Sequence, residues 1–215
     1  MARTADHEAR RQQVAEAVEH LVATEGFEAV TVARTAAAAG ISVGLVQHYF
    51  PSKDDMLLHA FTHARNRTQQ RVLADAQRAD LSGARIEHIL LDALTELLPL
   101  DERRRRECRV ELAFTGRTVD NPRLAQSLGE SNAHLRAMLA QAIRNGKECG
   151  EVPNATDDST KAARILATLD GLKLHAYIEP DTMTPTAARA ALAEQLRRVF
   201  TGPCDHRPST KRTRR

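Results

Sequence analysis

Apolar residues recur at spacings of three and four along almost the whole chain, which is the period of one face of an α-helix. The first such stripe runs from Val14 to Val22, and the last runs from Ala188 to Phe200. Between them, prolines, glycines and potential capping residues interrupt the pattern at intervals. No segment shows the clear period of two that a half-buried strand requires. The pattern therefore predicts an all-α protein of about nine helices.

The composition agrees with this fold class, because aromatic residues make up only 3% of the chain while Ala, Leu and Arg are abundant. No apolar run approaches the roughly 20 residues needed to cross a bilayer. The first residues contain no apolar signal-peptide core. We therefore expect a cytoplasmic protein that has no membrane partner.

Cysteine and histidine spacing gives little support for a metal. Cys108, Cys149 and Cys204 are far apart and form no Cys-x-x-Cys pair, so neither a zinc site nor a disulfide framework is indicated. His59 and His63 have the i, i+4 spacing that can bind a metal on a helix, but no third ligand lies nearby in the sequence. We expect neither a metal site nor a cofactor.

The net charge of +3 does not by itself indicate a nucleic-acid partner. The last fourteen residues hold five basic residues and one acidic one, a net +4, which leaves the other 201 residues at −1. A polar basic end without apolar periodicity is typical of disorder, so we expect residues 203–215 to form a disordered tail. Arg3, Arg10 and Arg11 are candidates for an N-terminal arm that reaches DNA, whereas the run Arg103–Arg106 is best interpreted as a solvated helix face.

Residues 31–50 have the pattern of a helix-turn-helix. Thr31 can cap a short helix that Gly40 ends, since glycine adopts a positive φ without steric cost. Ser42 can cap a second short helix that runs to about Phe50. Alanines at positions 33 and 36–39 would let the first helix cross the second closely.

The segment TVARTAAAAGISVGLVQHYFPSKDDML resembles the signature of the TetR family of transcriptional regulators. The matching features are Thr31, the Ala-rich helix, Gly40, Ser42, Gly44, the His48-Tyr49-Phe50 triplet, Lys53 and Leu57. The resemblance spans about residues 9–68. The later stretch AARILATLDGLKLHAYIEPD is similar to the betaine-regulator-like branch of the family.

This resemblance implies a helix-turn-helix DNA-binding domain over residues 7–68 and a helical ligand-binding and dimerisation domain over 75–202. It also implies a homodimeric repressor, not an enzyme, that a small-molecule effector releases from a palindromic double-stranded operator. Three other functions stay open: an activator of the same fold, a helical enzyme with a vestigial head, and a protein-binding adaptor. The enzyme lacks support, because no cluster suited to acid–base chemistry is visible in the sequence.

The family pattern also implies which residues contact DNA. Four would hold the phosphate backbone, one would permit close approach, and four would face the major groove. The residues that would hold the phosphate backbone are Thr31, Ser42, Tyr49 and Lys53. Gly44 is the one that would permit close approach. The residues that would face the major groove are Val43, Leu45, Gln47 and His48. Many relatives have Tyr where this chain has Gln47, and Gln can bond adenine through two hydrogen bonds. Gln47 is therefore predicted to read a base.

The second domain is expected to contain the dimer interface and the effector pocket. The resemblance implies that the last two helices pair with their copies, and Ala187, Ala188, Ala191, Leu192 and Leu196 suit close helix packing. An intrachain core is the alternative for these five. The candidate pocket walls are Leu90, Leu94, Leu112, Leu135, Met138 and Leu172. His134 and His175 are the candidate polar groups of the pocket. Simple core packing would also explain the six apolar residues.

Overall fold

The computed structural model describes residues 2–80 and 84–203. Within these ranges the chain forms nine α-helices, a short 3-10 helix at Phe27–Ala29 and no strand, which confirms the all-α prediction. The α-helices are α1 (Ala2–Glu25), α2 (Val32–Ala39), α3 (Val43–Tyr49), α4 (Lys53–Asp80), α5 (Ile86–Thr95), α6 (Glu102–Arg117), α7 (Pro122–Glu148), α8 (Asp158–Ile178) and α9 (Pro185–Arg197). None of these helices is both long enough and apolar enough to span a bilayer.

The helix starts follow local capping chemistry. The N-cap positions of five helices hold Thr31, Ser42, Asp101, Asp157 and Thr184. Each of these side chains accepts a hydrogen bond from a backbone N–H of the first turn, which would otherwise lack an intrahelical partner. These starts could be predicted because donor and acceptor lie within three residues of each other.

Some predicted features lie outside the described residues. The expected disordered tail at 203–215 is described only at Pro203, and Cys204 is not described. Residues 81–83, which precede α5, are also outside the described ranges. The next described helix, α5, begins at Ile86.

The chain divides by packing into two compact units. The first runs up to Gln70 and includes Pro99–Asn132, and the second comprises Arg71–Leu98 and the residues from Ala133 onward. Residues 99–132 thus pack with the N-terminal helices. The division into a DNA-binding domain over 7–68 and a ligand-binding domain over 75–202 stays a prediction about function.

The core of the first unit is built around two stacked phenylalanines. Phe61 of α4 and Phe114 of α6 lie with their ring centroids 5.1 Å apart, and Phe27 meets Phe114 edge-on at 5.3 Å. Rings at such separations attract one another in addition to the area they bury. Val46 and Phe50 join the same core. The helix α3 therefore packs against the apolar core of the first unit.

In the second unit, the start of α5 is capped by a residue distant in sequence. Glu151 is fully buried, and its carboxylate accepts hydrogen bonds from the N–H groups of Ile86 and Glu87 at 3.0 and 3.2 Å. Its backbone carbonyl accepts a further bond from the N–H of Gly202 at 2.9 Å. The local N-cap residue, Arg85, makes no side-chain capping bond. Glu151 thus anchors α5 through its carboxylate and the end of the described chain through its backbone carbonyl.

Candidate nucleic-acid interface

The helices α2 and α3 are joined by a tight turn at Gly40. This residue has φ +65°, which favours glycine, and its N–H bonds to the carbonyls of Ala36 and Ala37. The hydroxyl of Ser42 then accepts a hydrogen bond from the N–H of Leu45 at 3.2 Å. The predicted helix-turn-helix geometry, with a cap at each helix start, is therefore present.

The short helix α3 has two different faces. Val46 and the following Phe50 are buried in the core of the first unit. The side exposed to solvent consists of Val43, Gly44, Gln47 and His48, preceded by Ser42. We call these five residues the exposed face of α3. Since Val43 is a large hydrophobic side chain with 41% of its surface exposed, a partner that covers it would gain free energy.

Gly44 lies at the centre of this face. A Cβ atom built on Gly44 would meet no other atom within 4 Å, so nothing inside the chain requires a glycine there. Its φ is not positive either. The absence of a side chain at this position therefore has no intrachain explanation among the described residues, and it leaves the backbone open to a close partner.

Two predicted contact residues are less exposed than the others. Leu45 is half-buried. Tyr49 is also half-buried, and its ring meets the rings of His7 and His48 edge-on at 4.7 and 5.2 Å. Tyr49 therefore packs against its own chain, while part of its surface remains accessible to a partner.

Side chains of α1 bind the C-terminal ends of both α2 and α3. Gln13 donates a hydrogen bond to the carbonyl of Ala39 at 2.6 Å, and Arg11 donates one from Nη1 to the carbonyl of Tyr49 at 3.2 Å. These carbonyls are at helix ends, where intrahelical donors run out. No sequence signal identified Gln13 or Arg11 in this role, because each partner lies more than twenty residues away.

Arg11 makes two further contacts. Its guanidinium lies over the ring of Phe50, 4.7 Å from the centroid, and Nη2 donates to Nδ1 of His59 at 3.2 Å. Because Nδ1 accepts this bond, His59 carries its hydrogen on Nε2. Burial and the neighbouring Arg11 charge lower the pKa of His59 below its usual value. The prediction that Arg11 belongs to an extended arm is wrong, since its guanidinium is turned inward.

The rest of the expected arm is part of α1. Arg10 bonds to Gln13 through Nη1 at 3.0 Å. The side chain of Arg3 lies outside the described residues. A contact between these arginines and DNA stays a prediction.

Lys53 begins α4, directly after the cap formed by Ser52. The Ser52 hydroxyl accepts from the N–H of Asp55 at 3.1 Å and donates to its carboxylate at 2.6 Å. The Ser52 hydroxyl and the guanidinium of Arg123, 2.8 Å from Asp55, hold the pKa of that carboxyl below its usual value. The ammonium of Lys53 is exposed at this helix start. Ser52 and Asp55 therefore form a capping pair at the start of α4, and Lys53 is accessible to a phosphate.

The helices α1 and α4 are held together by a network around Glu19, which the sequence did not suggest. The Glu19 carboxylate contacts Nδ1 of His63 at 3.0 Å and a guanidinium nitrogen of Arg67 at 2.6 Å. The histidine pair considered for a metal thus has protein partners, since His59 bonds to Arg11. Within the described residues, no group of three or more metal-ligating side chains is found.

The residues predicted to line an effector pocket have different environments. Leu112 belongs to the first unit, whereas the other seven belong to the second. In the second unit Leu94 and Leu172 are buried, Leu90, Leu135 and Met138 are half-buried, and His134 and His175 are exposed. His175 lies 3.4 Å from the carboxylate of Glu179 on the protein surface. Neither histidine is enclosed in its unit, contrary to the expectation of polar groups inside a pocket.

Three of the five residues predicted at the dimer interface are core residues of the single chain. Ala188, Leu192 and Leu196 have no exposed surface. They cannot offer area to a partner, so the intrachain alternative applies to them. Ala187 and Ala191 are half-buried and remain available. The sequence identified an apolar helix but could not tell which side of it faces its own core.

Family models match both parts of the chain. The model described as "Bacterial regulatory proteins, tetR family" matches residues 15–60. The model described as "BetI-type transcriptional repressor, C-terminal" matches residues 86–201, which is more than half of the chain.

Individual proteins are similar along most of their length. The HTH-type transcriptional regulator PksA of Bacillus subtilis is 29% identical over 180 residues, which are 84% of each chain. A solved transcriptional regulator from Rhodococcus sp. Rha1 is 31% identical with a TM-score of 0.76, covering 92% of this chain and 99% of its own. A regulator from Saccharomonospora viridis, solved in complex with choline, has a TM-score of 0.76 at 23% identity, covering 87% of this chain and 95% of its own.

Proposed function

Because the chain belongs to the TetR family and is a transcriptional regulator rather than an enzyme, we propose that it binds a palindromic operator as a homodimer and leaves it when a small molecule binds. As a repressor it acts on genomic DNA in the cytoplasm. One observation carries the DNA-binding part of this proposal. The helix α3 is capped at its start, and its opposite side packs into the core of the first unit, so that its exposed face is turned to solvent.

The exposed face of α3 enters the major groove, where its first turns meet base edges. Gln47 and His48 offer hydrogen-bonding groups, Val43 and Leu45 offer apolar contact to a thymine methyl, and Gly44 lets the backbone approach. Backbone phosphates are bound by Thr31, Ser42, Tyr49 and Lys53. The exposed hydroxyls of Thr31 and Ser42 each accept one intrahelical N–H, and each retains its own hydrogen to donate.

Fluorescence anisotropy with labelled DNA from upstream of the gene tests this interface. We expect tight binding to a duplex that contains an inverted repeat and much weaker binding to a scrambled duplex of equal length. Affinity should fall steeply as salt rises, because phosphate contacts release counterions. Equal affinity for the two duplexes would contradict operator recognition.

The homodimer forms through the outward faces of α8 and α9. Leu174 and Ile178 of α8 are exposed large hydrophobic side chains, and Ile178 exposes 62% of its surface. Ala163 and Ala167, also exposed on α8, would allow close helix approach. Ala187 and Ala191 of α9 extend this surface. The two recognition helices of a dimer would meet half-sites about 34–36 Å apart.

Sedimentation equilibrium distinguishes this dimer from a monomer. We expect Ile178→Glu to shift the protein toward monomer, since a carboxylate would be buried at the interface without a partner. Val119→Glu is the matched control, because Val119 exposes 84% of its surface in the first unit. If both variants stay dimeric, the interface lies elsewhere.

The effector binds in the second unit, most of which lies within the BetI-type match. Leu90, Leu135 and Met138 are half-buried apolar side chains that a ligand can reach, and Leu94 and Leu172 belong to the same unit. Leu112, His134 and His175 stay candidates from the family pattern only. Choline is the first compound to test, because the similar Saccharomonospora regulator was solved with it.

A ligand can release DNA only if it binds the DNA-free form better than the bound form. Choline should therefore raise the melting temperature of the free protein and raise the operator dissociation constant. Betaine and ethanolamine serve as chemically related comparisons. No change in either measurement would exclude choline as the effector while leaving operator binding untouched.

A further inference from the structure

We propose that a cleft within the first unit is a second small-molecule site, and that it binds a small aromatic carboxylate. The cleft lies between α1, the end of α3, α4 and the start of α7, and it has a volume of about 410 Å³. Small-molecule sites commonly have volumes of about 300–1,000 Å³. The residues that line it and matter to the argument are Arg11, Phe50, Leu58, His59, Thr62 and Arg123. This site is separate from the proposed effector site of the second unit.

Part of the cleft wall is formed by aromatic rings and an aliphatic side chain. Phe50 and the imidazole of His59 lie with their ring centroids 5.3 Å apart at an interplanar angle of 42°. Leu58 lines the same cleft. A flat aromatic ring would bury apolar area against this wall and could stack on the guanidinium of Arg11, which already lies over Phe50.

The cleft also has an excess of positive charge. Among the described residues that line it, Arg11 and Arg123 are two guanidinium groups, whereas Asp55 is the only carboxylate. Asp55 is already engaged by Arg123 at 2.8 Å and by Ser52. Arg11 uses two of its five N–H groups for Tyr49 and His59, so others can serve a ligand. A carboxylate is a group that guanidinium donors bind through short, charge-assisted hydrogen bonds.

An unsatisfied donor points to the same ligand chemistry. Nε2 of His59 carries the ring hydrogen, as Nδ1 accepts from Arg11. Within the described residues this Nε2 is buried and has no hydrogen-bond partner. A buried donor without an acceptor is unfavourable. His59 lines the cleft, so a carboxylate oxygen that entered beside its ring would supply the acceptor.

Occupation of this cleft would act directly on α3. A carboxylate bound to the remaining N–H groups of Arg11 would pull the guanidinium away from the carbonyl of Tyr49, and the bond to that carbonyl holds the end of α3. This consequence rests on the proposed operator binding, whereas binding of the carboxylate itself does not. A test without DNA therefore separates failure of this proposal from failure of the proposed function.

The full-length protein can be tested with fluorinated tyrosine, because the chain contains two tyrosines. Tyr49 lines the cleft, and Tyr177 lies on α8 in the second unit. After labelling with 3-fluorotyrosine, Tyr49→Phe assigns the two fluorine resonances. We expect sodium benzoate to shift the Tyr49 resonance saturably and to leave the Tyr177 resonance in place. Benzamide, which has the same shape without the charge, should cause a shift only at higher concentration.

The variant Arg123→Ala should raise the benzoate dissociation constant about three- to tenfold, because one charge-assisted contact is lost at a partly exposed site. Arg144→Ala is the matched control, because Arg144 is also on α7 and also pairs with an aspartate. The two side chains have similar exposure, 46% for Arg144 and 54% for Arg123. The control should bind benzoate as the wild type does.

Three results would overturn the proposal. The first is a Tyr49 resonance that benzoate does not move. The second is an equal effect of Arg123→Ala and Arg144→Ala on binding. The third is a Tyr49 shift that inorganic phosphate or benzamide reproduces at the same concentration, which would mean that the cleft does not select an aromatic carboxylate.

Discussion

Arg11 of α1 donates a hydrogen bond to the backbone carbonyl of Tyr49, the last residue of α3, at 3.2 Å. The same guanidinium lies over Phe50 and bonds to His59 of α4. The side chain of Arg11 therefore joins α3 to α1 and α4, two other helices of the first unit. Arg11 positions α3, a role different from the DNA contact for which the sequence made it a candidate.

We expect Arg11→Ala to raise the operator dissociation constant about five- to tenfold, because the end of α3 loses a hydrogen bond and a packed guanidinium. Arg11→Lys should recover little, since an ammonium lacks the planar face that covers Phe50 and the two nitrogens that bond to Tyr49 and His59. Anisotropy titration measures both effects. Gln12→Ala, at an exposed neighbouring position on α1, is the control. If Arg11→Ala lowers the melting temperature but leaves operator affinity unchanged, Arg11 only stabilises the fold.

Gln47→Ala should reduce operator affinity by about 1–3 kcal/mol and relax preference at one base pair, because a base contact disappears. Anisotropy on a set of single-substitution operators measures this. Gln126→Ala, at an exposed glutamine of α7 in the same unit, should have no effect. An equal loss on every operator variant would instead mean that Gln47 contacts the DNA backbone.

Gly44→Ala should change stability and DNA binding in opposite directions. Alanine favours a helix over glycine by about 1 kcal/mol, and the added methyl meets open space in the free protein. The free energy of unfolding should therefore rise slightly, as measured by urea denaturation. Operator affinity should fall, because the methyl group would lie between backbone and DNA. Unchanged affinity would show that α3 does not approach DNA closely at this position.

The stability of the first unit should depend on the protonation of His59. Its folded pKa is below the unfolded value near 6.5, so the unfolded chain takes up a proton at a higher pH than the folded chain does. The free energy of unfolding must therefore fall as pH decreases through that unfolded value, until folded His59 also protonates.

We expect the loss of stability between pH 7.5 and 5.5, measured by urea denaturation, to be smaller in His59→Gln than in the wild type. The variant no longer titrates in this range. His20→Gln, which replaces an exposed histidine of α1, should lose as much stability as the wild type. Identical pH profiles for His59→Gln and the wild type would contradict the argument.

Glu151→Ala should lower the free energy of unfolding by about 2–4 kcal/mol, because it leaves the buried N–H groups of Ile86 and Glu87 without acceptors. Glu151→Gln should lose less, since its amide oxygen can still accept one bond. Glu148→Ala, near the end of α7 and more exposed, is the comparison. A loss for Glu151→Ala no greater than for Glu148→Ala would exclude the capping role.

Local chemistry made much of this protein predictable from its residues alone. Thr31, Gly40, Ser42 and the pair Ser52–Asp55 act within three or four positions of their partners, so their spacing is sufficient to predict the helix ends. The order of these residues also carried the family resemblance that the comparisons bear out. Helical periodicity predicted the number of helices because it needs only neighbouring turns.

Tertiary packing decided what periodicity could not. An apolar stripe shows that a helix face is buried but not what covers it, and so Ala188, Leu192 and Leu196 proved to be core residues of the single chain. Arg11 and Glu151 act on backbone groups 38 and 65 residues away, through contacts that no local spacing encodes. Charge patterns do not show where a side chain finds its partner. The helix-turn-helix could therefore be predicted from the sequence. The contact of Arg11 with the end of α3 and the cleft beside it could be identified only in the folded chain.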